Sequence, residues 1–273
     1  MNILVKIMKK ILLSKDTPIY CLIPSEAIML DDHIDGYFSN GIKINEGDVV
    51  VDVGANIGVL GVRLSKKFNK IKIYCFEPIP NIFSVLKKNC KLTNNPDFKV
   101  FENGLGDRKE KKEFTYFPNS PALSTANPDT WKKDSKMLIN AVKGSLKNAP
   151  KKFWWAKFIP SFLAPLFAKY LTINKKKFVC EIITLSEFIV KEKISKINFL
   201  KIDCEGLEWN VLQGIKKNDW NKISSCVIEV HNINNRLKKI CKLLESNGFK
   251  IILEKEESLK ETKLINVFAT KKI

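Results

Sequence analysis

Asp48-Val-Val-Val-Asp-Val-Gly-Ala-Asn-Ile-Gly58 decides the reading of this chain. Val49, Val50, Val51 and Val53 form a β-branched run without polar alternation, the pattern of a strand covered on both faces. Asp52 interrupts the run near its carboxyl end, where a buried strand carries a charge only if that charge is used. Gly54 and Gly58 let the backbone turn sharply and approach a ligand closely. Val59, Leu60, Val62, Leu64 and Phe68 continue as a helix whose first N–H groups point at whatever occupies the turn.

Outward from this stretch, strands and helices alternate. Residues 71–76 read as a second buried strand ending in Glu77-Pro78, with Phe83, Leu86 and Cys90 at helical spacing behind it. Residues 98–101 give a third strand, followed by Gly104-Leu-Gly-Asp107 and an expected hairpin through Phe117. Residues 197–203 and 226–230 are the fourth and fifth strands. Residues 249–253 and 264–269 close the chain as an antiparallel pair at one edge. Such alternation predicts an α/β fold, a mainly parallel sheet with helices on both faces.

Composition bounds the remaining choices. Seven cysteines, an odd number without a C-x-x-C pair, predict reduced thiols and a cytoplasmic setting. Two histidines and no paired cysteines argue against structural zinc. The net charge of +18 predicts attraction to something acidic, such as a membrane surface, nucleic acid or an anionic substrate. Residues 1–13 are too short to span a bilayer, lack a small-residue cleavage site, and read as an amphipathic helix. Residues 20–40 read as one or two strands with a turn, so that 1–40 form a cap segment on a domain over 41–273. Within that domain, residues 131–178 break the rhythm with twelve lysines, one aspartate and the aromatic centre Phe153-Trp-Trp-Ala-Lys-Phe158. They read as an insertion that serves as a lid, a membrane contact or both.

The chemistry lies at the strand ends. Ligands of open parallel sheets bind beyond the carboxyl ends of the strands, where strand order reverses. Asp52, Glu77, Asp107, Asp203, Glu205, Glu229 and His231 all fall at or just past such an end. Glu77 stands one strand–helix–strand step beyond Gly54, where an acid accepts hydrogen bonds from ribose hydroxyls. A dinucleotide fingerprint would need glycine at Asn56 and Val59, so an NAD-dependent oxidoreductase is disfavoured, and no Gly-Lys-Ser/Thr phosphate loop is present. An acidic rim repels pyrophosphate and suits a cationic ligand such as S-adenosylmethionine. A non-enzymatic basic module that binds membrane or RNA would explain the charge but leave the acidic rim unused. Nucleic acid is not expected as a partner, since no base-methylation signature or RNA-binding module is recognisable.

Six motifs in order then carry a resemblance. Val51-Asp-Val-Gly-Ala-Asn-Ile-Gly58, Cys75-Phe-Glu-Pro78, Asn103-Gly-Leu-Gly-Asp107, Thr184-Leu-Ser-Glu-Phe188, Asn198-Phe-Leu-Lys-Ile-Asp-Cys-Glu-Gly206 and Val227-Ile-Glu-Val-His231 resemble the FkbM family of S-adenosylmethionine-dependent methyltransferases. The resemblance runs from about Gly41 to the carboxyl terminus, outside the insertion. It implies the class I methyltransferase (Rossmann-like) sheet, order 3-2-1-4-5-7-6 with the last strand antiparallel. It also implies O-methylation of a hydroxyl on a small molecule, sugar or lipid-linked glycan. Cys204 and Trp209 depart from the family's usual pattern.

The expected cofactor site is Asp52, Gly54, Asn56, Gly58, Glu77, Leu105, Asp107 and Asp203, with ribose at Glu77 and adenine near Leu105 and Asp107. Asp203, Glu205 and His231 are the expected catalytic residues, His231 as the base near neutral pH. The same three are the expected ligands if a Mg²⁺ ion assists. The protein is expected in the cytoplasm, with peripheral contact to anionic membrane through the insertion.

Overall fold

The computed structural model describes residues 8–128, 135–149 and 151–271. The chain opens with β1 (Lys9–Leu13), β2 (Thr17–Cys21) and α1 (Pro24–Ile34). The first half of the main sheet follows as β3 (Val49–Val53), α2 (Val59–Lys67), β4 (Lys72–Phe76), α3 (Pro80–Leu92) and β5 (Phe98–Phe101). Next come β6 (Gly104–Leu105), β7 (Glu110–Tyr116), α4 (Ser135–Lys147), α5 (Ala164–Thr172) and β8 (Lys176–Ile183). The second half comprises α6 (Leu185–Lys191), β9 (Ile197–Ile202), α7 (Glu208–Gln213), β10 (Ile223–His231) and α8 (Arg236–Ser246). Finally β11 (Phe249–Glu254) and β12 (Leu264–Lys271) close the chain.

The main sheet has seven strands in the order β11-β12-β10-β9-β3-β4-β5, which counted within the sheet reads 6-7-5-4-1-2-3. β3 lies between β4 and β9, parallel to both, while β12 runs antiparallel to β10 and β11. The valine run is buried on both faces because its residues alternate between two cores. Val50 packs with α2, α3 and the amino-terminal elements, whereas Val51 and Val53 pack with Phe188, Leu212 and Leu244 on the other side. Strand order reverses between β3 and β9, so the Gly54 turn and Asp203 meet at the switch point.

Three local expectations are corrected. Residues 9–13 form a strand paired with 17–21 rather than a helix, and residues 1–7 of that expected helix lie outside the described residues. Residues 24–34 are helical: Pro24 opens α1, and Ala27, Asp31 and Ile34 recur at helical spacing on its buried side. The buried Asp31 is neutralised by Arg63 at 2.6 Å and also accepts the Ser14 N–H. The third correction concerns residues 104–117, which are not a hairpin. β6 and β7 flank β8 instead, parallel and antiparallel to it respectively, so β7 finds its partner across the insertion. β8 also takes residues 176–178 out of the expected insertion, and residues 131–134 lie outside the described ones.

Within the insertion, α4 and α5 share a small core of Phe117, Met137, Leu138, Val142, Ala164 and Ala168. Hydrogen bonds tie the segment that leads into it, residues 117–128, to the body. The Ala122 N–H donates to Glu26, the Thr125 hydroxyl to the Glu205 carbonyl (2.6 Å), and the Asn127 amide to the Gly206 carbonyl.

Candidate active site

β3 ends where backbone geometry is tightest. Gly54 has φ +74°, and a Cβ there would sit 1.8 Å from the Asp203 carbonyl oxygen, so only glycine lets β3 and β9 close together. Asn56 also takes a left-handed φ of 51°. Its N–H donates to Glu77 Oε2 (3.2 Å), and the Ile79 N–H donates to Oε1 (3.0 Å). The carboxylate of Glu77 thus bridges the ends of β3 and β4. Burial raises its pKa to about 7, against the opposing pull of those two N–H groups.

Lys201, on the neighbouring strand, is the buried cation of the site. Its Nζ donates to the Gly54 carbonyl (2.9 Å) and lies 3.1 Å from Asp52 and 3.5 Å from Asp203. Burial disfavours the ammonium, but Asp52 and Asp203 outweigh it and hold the pKa well above the usual lysine value. Burial raises the pKa of Asp52, which Lys201 only partly offsets. Lys201 therefore sets both strand-end acids in one plane of contact with the Gly54 turn.

Past β9 the chain turns through Glu205 (φ 51°) and Gly206 (φ 100°). A glutamate in the left-handed region is strained, and such strain is kept where surrounding contacts enforce it. Thr125 and Asn127 supply those contacts from outside. From inside, Glu208 accepts the Gly206 N–H. Glu208 is fully buried and also holds His231 Nδ1 at 3.2 Å and Arg236 Nη1 at 2.7 Å. His231 Nε2 faces Glu205 at 3.3 Å. Arg236, Glu208, His231 and Glu205 thereby form one row of alternating charge that ends at the turn.

The row decides what His231 can do. Burial would depress its pKa, yet Glu208 and Glu205 override that and hold it well above the usual value. Burial would raise the pKa of Glu208, but His231 and Arg236 bring it below normal. His231 has a carboxylate at each ring nitrogen, 3.2 Å and 3.3 Å away, so the part of base expected from its strand-end position would require one of those pairings to open. Among the described residues no group of three His, Cys, Asp or Glu side chains is placed to hold a metal ion.

These elements floor a cavity of about 700 Å³. Asp52, Gly54, Asn56, Glu77, Leu105, Asp203 and Glu205 line it as a set. Gly58, Asp107 and His231 do not. Gly58 caps α2, and a Cβ there would meet Leu86 at 2.5 Å. Asp107 is turned to Asn210, whose amide donates to it at 3.1 Å and lowers its pKa. Glu229 joins the wall, its pKa lifted well above normal by burial and further by the charges of Asp203 and Glu205. The roof is the insertion: Leu138, Val142, Phe153, Trp155, Ile159 and Phe167 close over the acids. Lys201, Glu208 and Arg236 escaped the sequence reading. Arg236 had a usable signal, being one of three arginines in a chain that otherwise uses lysine.

Buried acids around a glycine turn, beneath an apolar roof, fit a ligand with a cationic end and paired hydroxyls. Sheet order, turn and acidic floor fit the class of S-adenosylmethionine-dependent methyltransferases. The family model for the methyltransferase FkbM domain matches residues 52–251. The chain belongs to the FkbM family. It is 27% identical to the 31-O-demethyl-FK506 methyltransferase FkbM of Streptomyces tacrolimicus, over 85% of this chain and 84% of that protein. It is 29% identical to the methyltransferase sdnD of Sordaria araneosa, over 76% of each. The fold matches the crystal structure of a methyltransferase FkbM from Methylobacillus flagellatus with a TM-score of 0.50 and 13% identity, over 89% of this chain and 52% of that one.

Proposed function

We propose that the protein methylates a hydroxyl oxygen on a small molecule, sugar or lipid-linked glycan. The observation that carries this reading is Glu205, held in a strained turn at the cavity floor with His231 3.3 Å behind it. The streptomycete relative supports an oxygen acceptor, since its name specifies an O-demethyl substrate.

Asp52, Gly54, Asn56, Glu77 and Leu105 would hold the cofactor, Glu77 accepting from ribose hydroxyls. When bound, S-adenosylmethionine supplies a methyl carbon already activated by its sulfonium. The chain's own residues then align the acceptor and take its proton. Burial raises the pKa of Glu205, which His231 only partly offsets, and this makes Glu205 a better proton acceptor than an exposed carboxylate. As the acceptor's O–H bond breaks, its proton passes to Glu205. Glu229, whose carboxyl burial pushes toward the neutral form, would offer the acceptor a hydrogen bond and help fix its orientation. Asp203, tied to Lys201, fixes the edge of the site nearest the switch point. Phe153, Trp155 and Phe167 in the roof exclude water and select an acceptor with an apolar part.

Methyl-labelled S-adenosylmethionine incubated with the protein and with lipid and glycan extracts tests the reading. Label in an acid- and base-stable methyl ether is expected. Label confined to nitrogen, to a hydrolysable ester, or absent from every fraction refutes it.

A further inference from the structure

The insertion has an inner face and an outer one, and the outer one is unusual for a protein surface. Trp154, Phe158 and Phe162 are 63%, 76% and 75% exposed, and Leu166 and Tyr170 are exposed beside them in sequence. Trp154 and Phe158 meet edge to face at 5.9 Å, so these rings form a patch rather than scattered contacts. Water does not tolerate such a patch without a partner or a function. Charge identifies the partner. From Lys136 to Lys177 the sequence has ten lysines and no aspartate or glutamate. Lys151, Lys152, Lys157 and Lys169, interleaved with the rings, are all exposed. Rings that prefer the headgroup boundary, set among cations, match an anionic bilayer rather than a second copy of this equally basic chain. Among the described residues no helix is long and apolar enough to cross a membrane, so the contact is one of lying on the surface.

We propose that this face of the insertion docks on an anionic lipid bilayer and turns the mouth of the cavity toward it. The mouth is located by Trp155 and Phe167, which are exposed and also line the cavity. Trp155 and Phe167 thus belong both to the exposed apolar face and to the cavity lining that includes Leu138 and Val142. An acceptor with a lipid chain reaches the acids of the floor along that surface without its chain crossing water. This last step rests on the methyl-transfer reading; the docking itself does not.

Co-sedimentation of the full chain with phosphatidylcholine vesicles, with and without phosphatidylglycerol, tests the docking. Binding at least tenfold stronger to the anionic vesicles, and falling as sodium chloride rises, is expected. Each lysine near the surface contributes about fivefold, so Lys151→Glu, Lys152→Glu and Lys157→Glu together should cost at least a hundredfold. Trp154→Ser, Phe158→Ser and Phe162→Ser together should cost at least tenfold. Calorimetry with S-adenosylmethionine separates the two readings. All variants should bind it as the parent does, whereas a parent that binds vesicles but not the cofactor would sink the methyl-transfer reading and leave the docking. A parent that ignores anionic vesicles, or variants that bind them equally, overturns the docking. So does concentration-dependent dimerisation that the aromatic variant abolishes while vesicles stay bare.

Discussion

Replacing Glu208 with glutamine tests the row of charges behind the Glu205 turn. The carboxylate is fully buried and serves three donors: the Gly206 N–H, His231 Nδ1 and Arg236 Nη1. A glutamine oxygen can still accept from Gly206, but its amide must face a cation with another donor. Removing one partner of a buried ion pair costs about 3–5 kcal/mol, because the charge left behind is uncompensated. For a chain of this size that is a fall in Tm on the order of 10 °C. The loss should depend on pH in a set direction. The Glu208 pKa is lowered by folding, so its contribution is present above the unfolded value near 4.5 and is lost as pH falls through the folded value. The His231 pKa is raised, so its contribution is complete below the unfolded value near 6.5 and is lost as pH rises through the folded one. The difference between parent and Glu208→Gln should therefore be largest between about pH 4.5 and 6.5 and shrink at both ends. Urea unfolding at several pH values measures it. A difference below about 1 kcal/mol, or one flat from pH 4 to 9, would refute the buried row.

Other outcomes follow from the same geometry. Glu77→Ala should weaken S-adenosylmethionine binding at least tenfold by calorimetry, since each charge-assisted hydrogen bond is worth about 1.5–3 kcal/mol; unchanged affinity in a folded variant removes Glu77 from the site. In the parent, the protonated form of Glu77 competes with the ribose, so affinity should climb with pH and level off above about 7. Gly54→Ala should cost about 4 kcal/mol or more, because its Cβ would overlap the Asp203 carbonyl; Gly36→Ala, with nothing within 4 Å, is the control and should be nearly neutral. Glu205→Gln should lower kcat about 10²–10⁴-fold while the cofactor Kd holds, and full turnover would reassign the base.

The sheet was readable because strands buried on both faces are mainly apolar runs, as in Val49–Val53, broken only by Asp52, and Ile197–Ile202, broken only by Asn198 and Lys201. β8 was not. Its exposed Lys176, Lys177 and Val179 continue the lysine-rich insertion, and its pairing partner Glu110–Tyr116 lies far back in the chain. Helix α1 was hidden by Asp31, a charge on its buried side that only Arg63, an element away, makes tolerable. At the site, acids at strand ends announced themselves because burial makes a lone carboxylate conspicuous. Lys201 gave no such sign in a chain where Lys and Arg total 47. Strand-end position placed His231 beside the floor but could not show the carboxylates that flank it on both sides, because Glu205 and Glu208 reach it from a turn and a helix outside its own strand.

The excursion that carries the insertion leaves β7 at Tyr116 and returns on β8 at Lys176, and these two residues are register partners. However long it is, then, topology makes it a hairpin loop. Closure entropy grows only with the logarithm of length, so gaining or losing ten residues here changes it by only about 0.1 kcal/mol. The roof is free to drift in size and composition while the sheet beneath keeps its register. On the proposed reading, an exchange of roofs between relatives would trade acceptor choice and leave the sheet undisturbed, on one condition. Thr125 and Asn127 must travel with the graft, because they are the joint that squares a new roof to the old Glu205 turn.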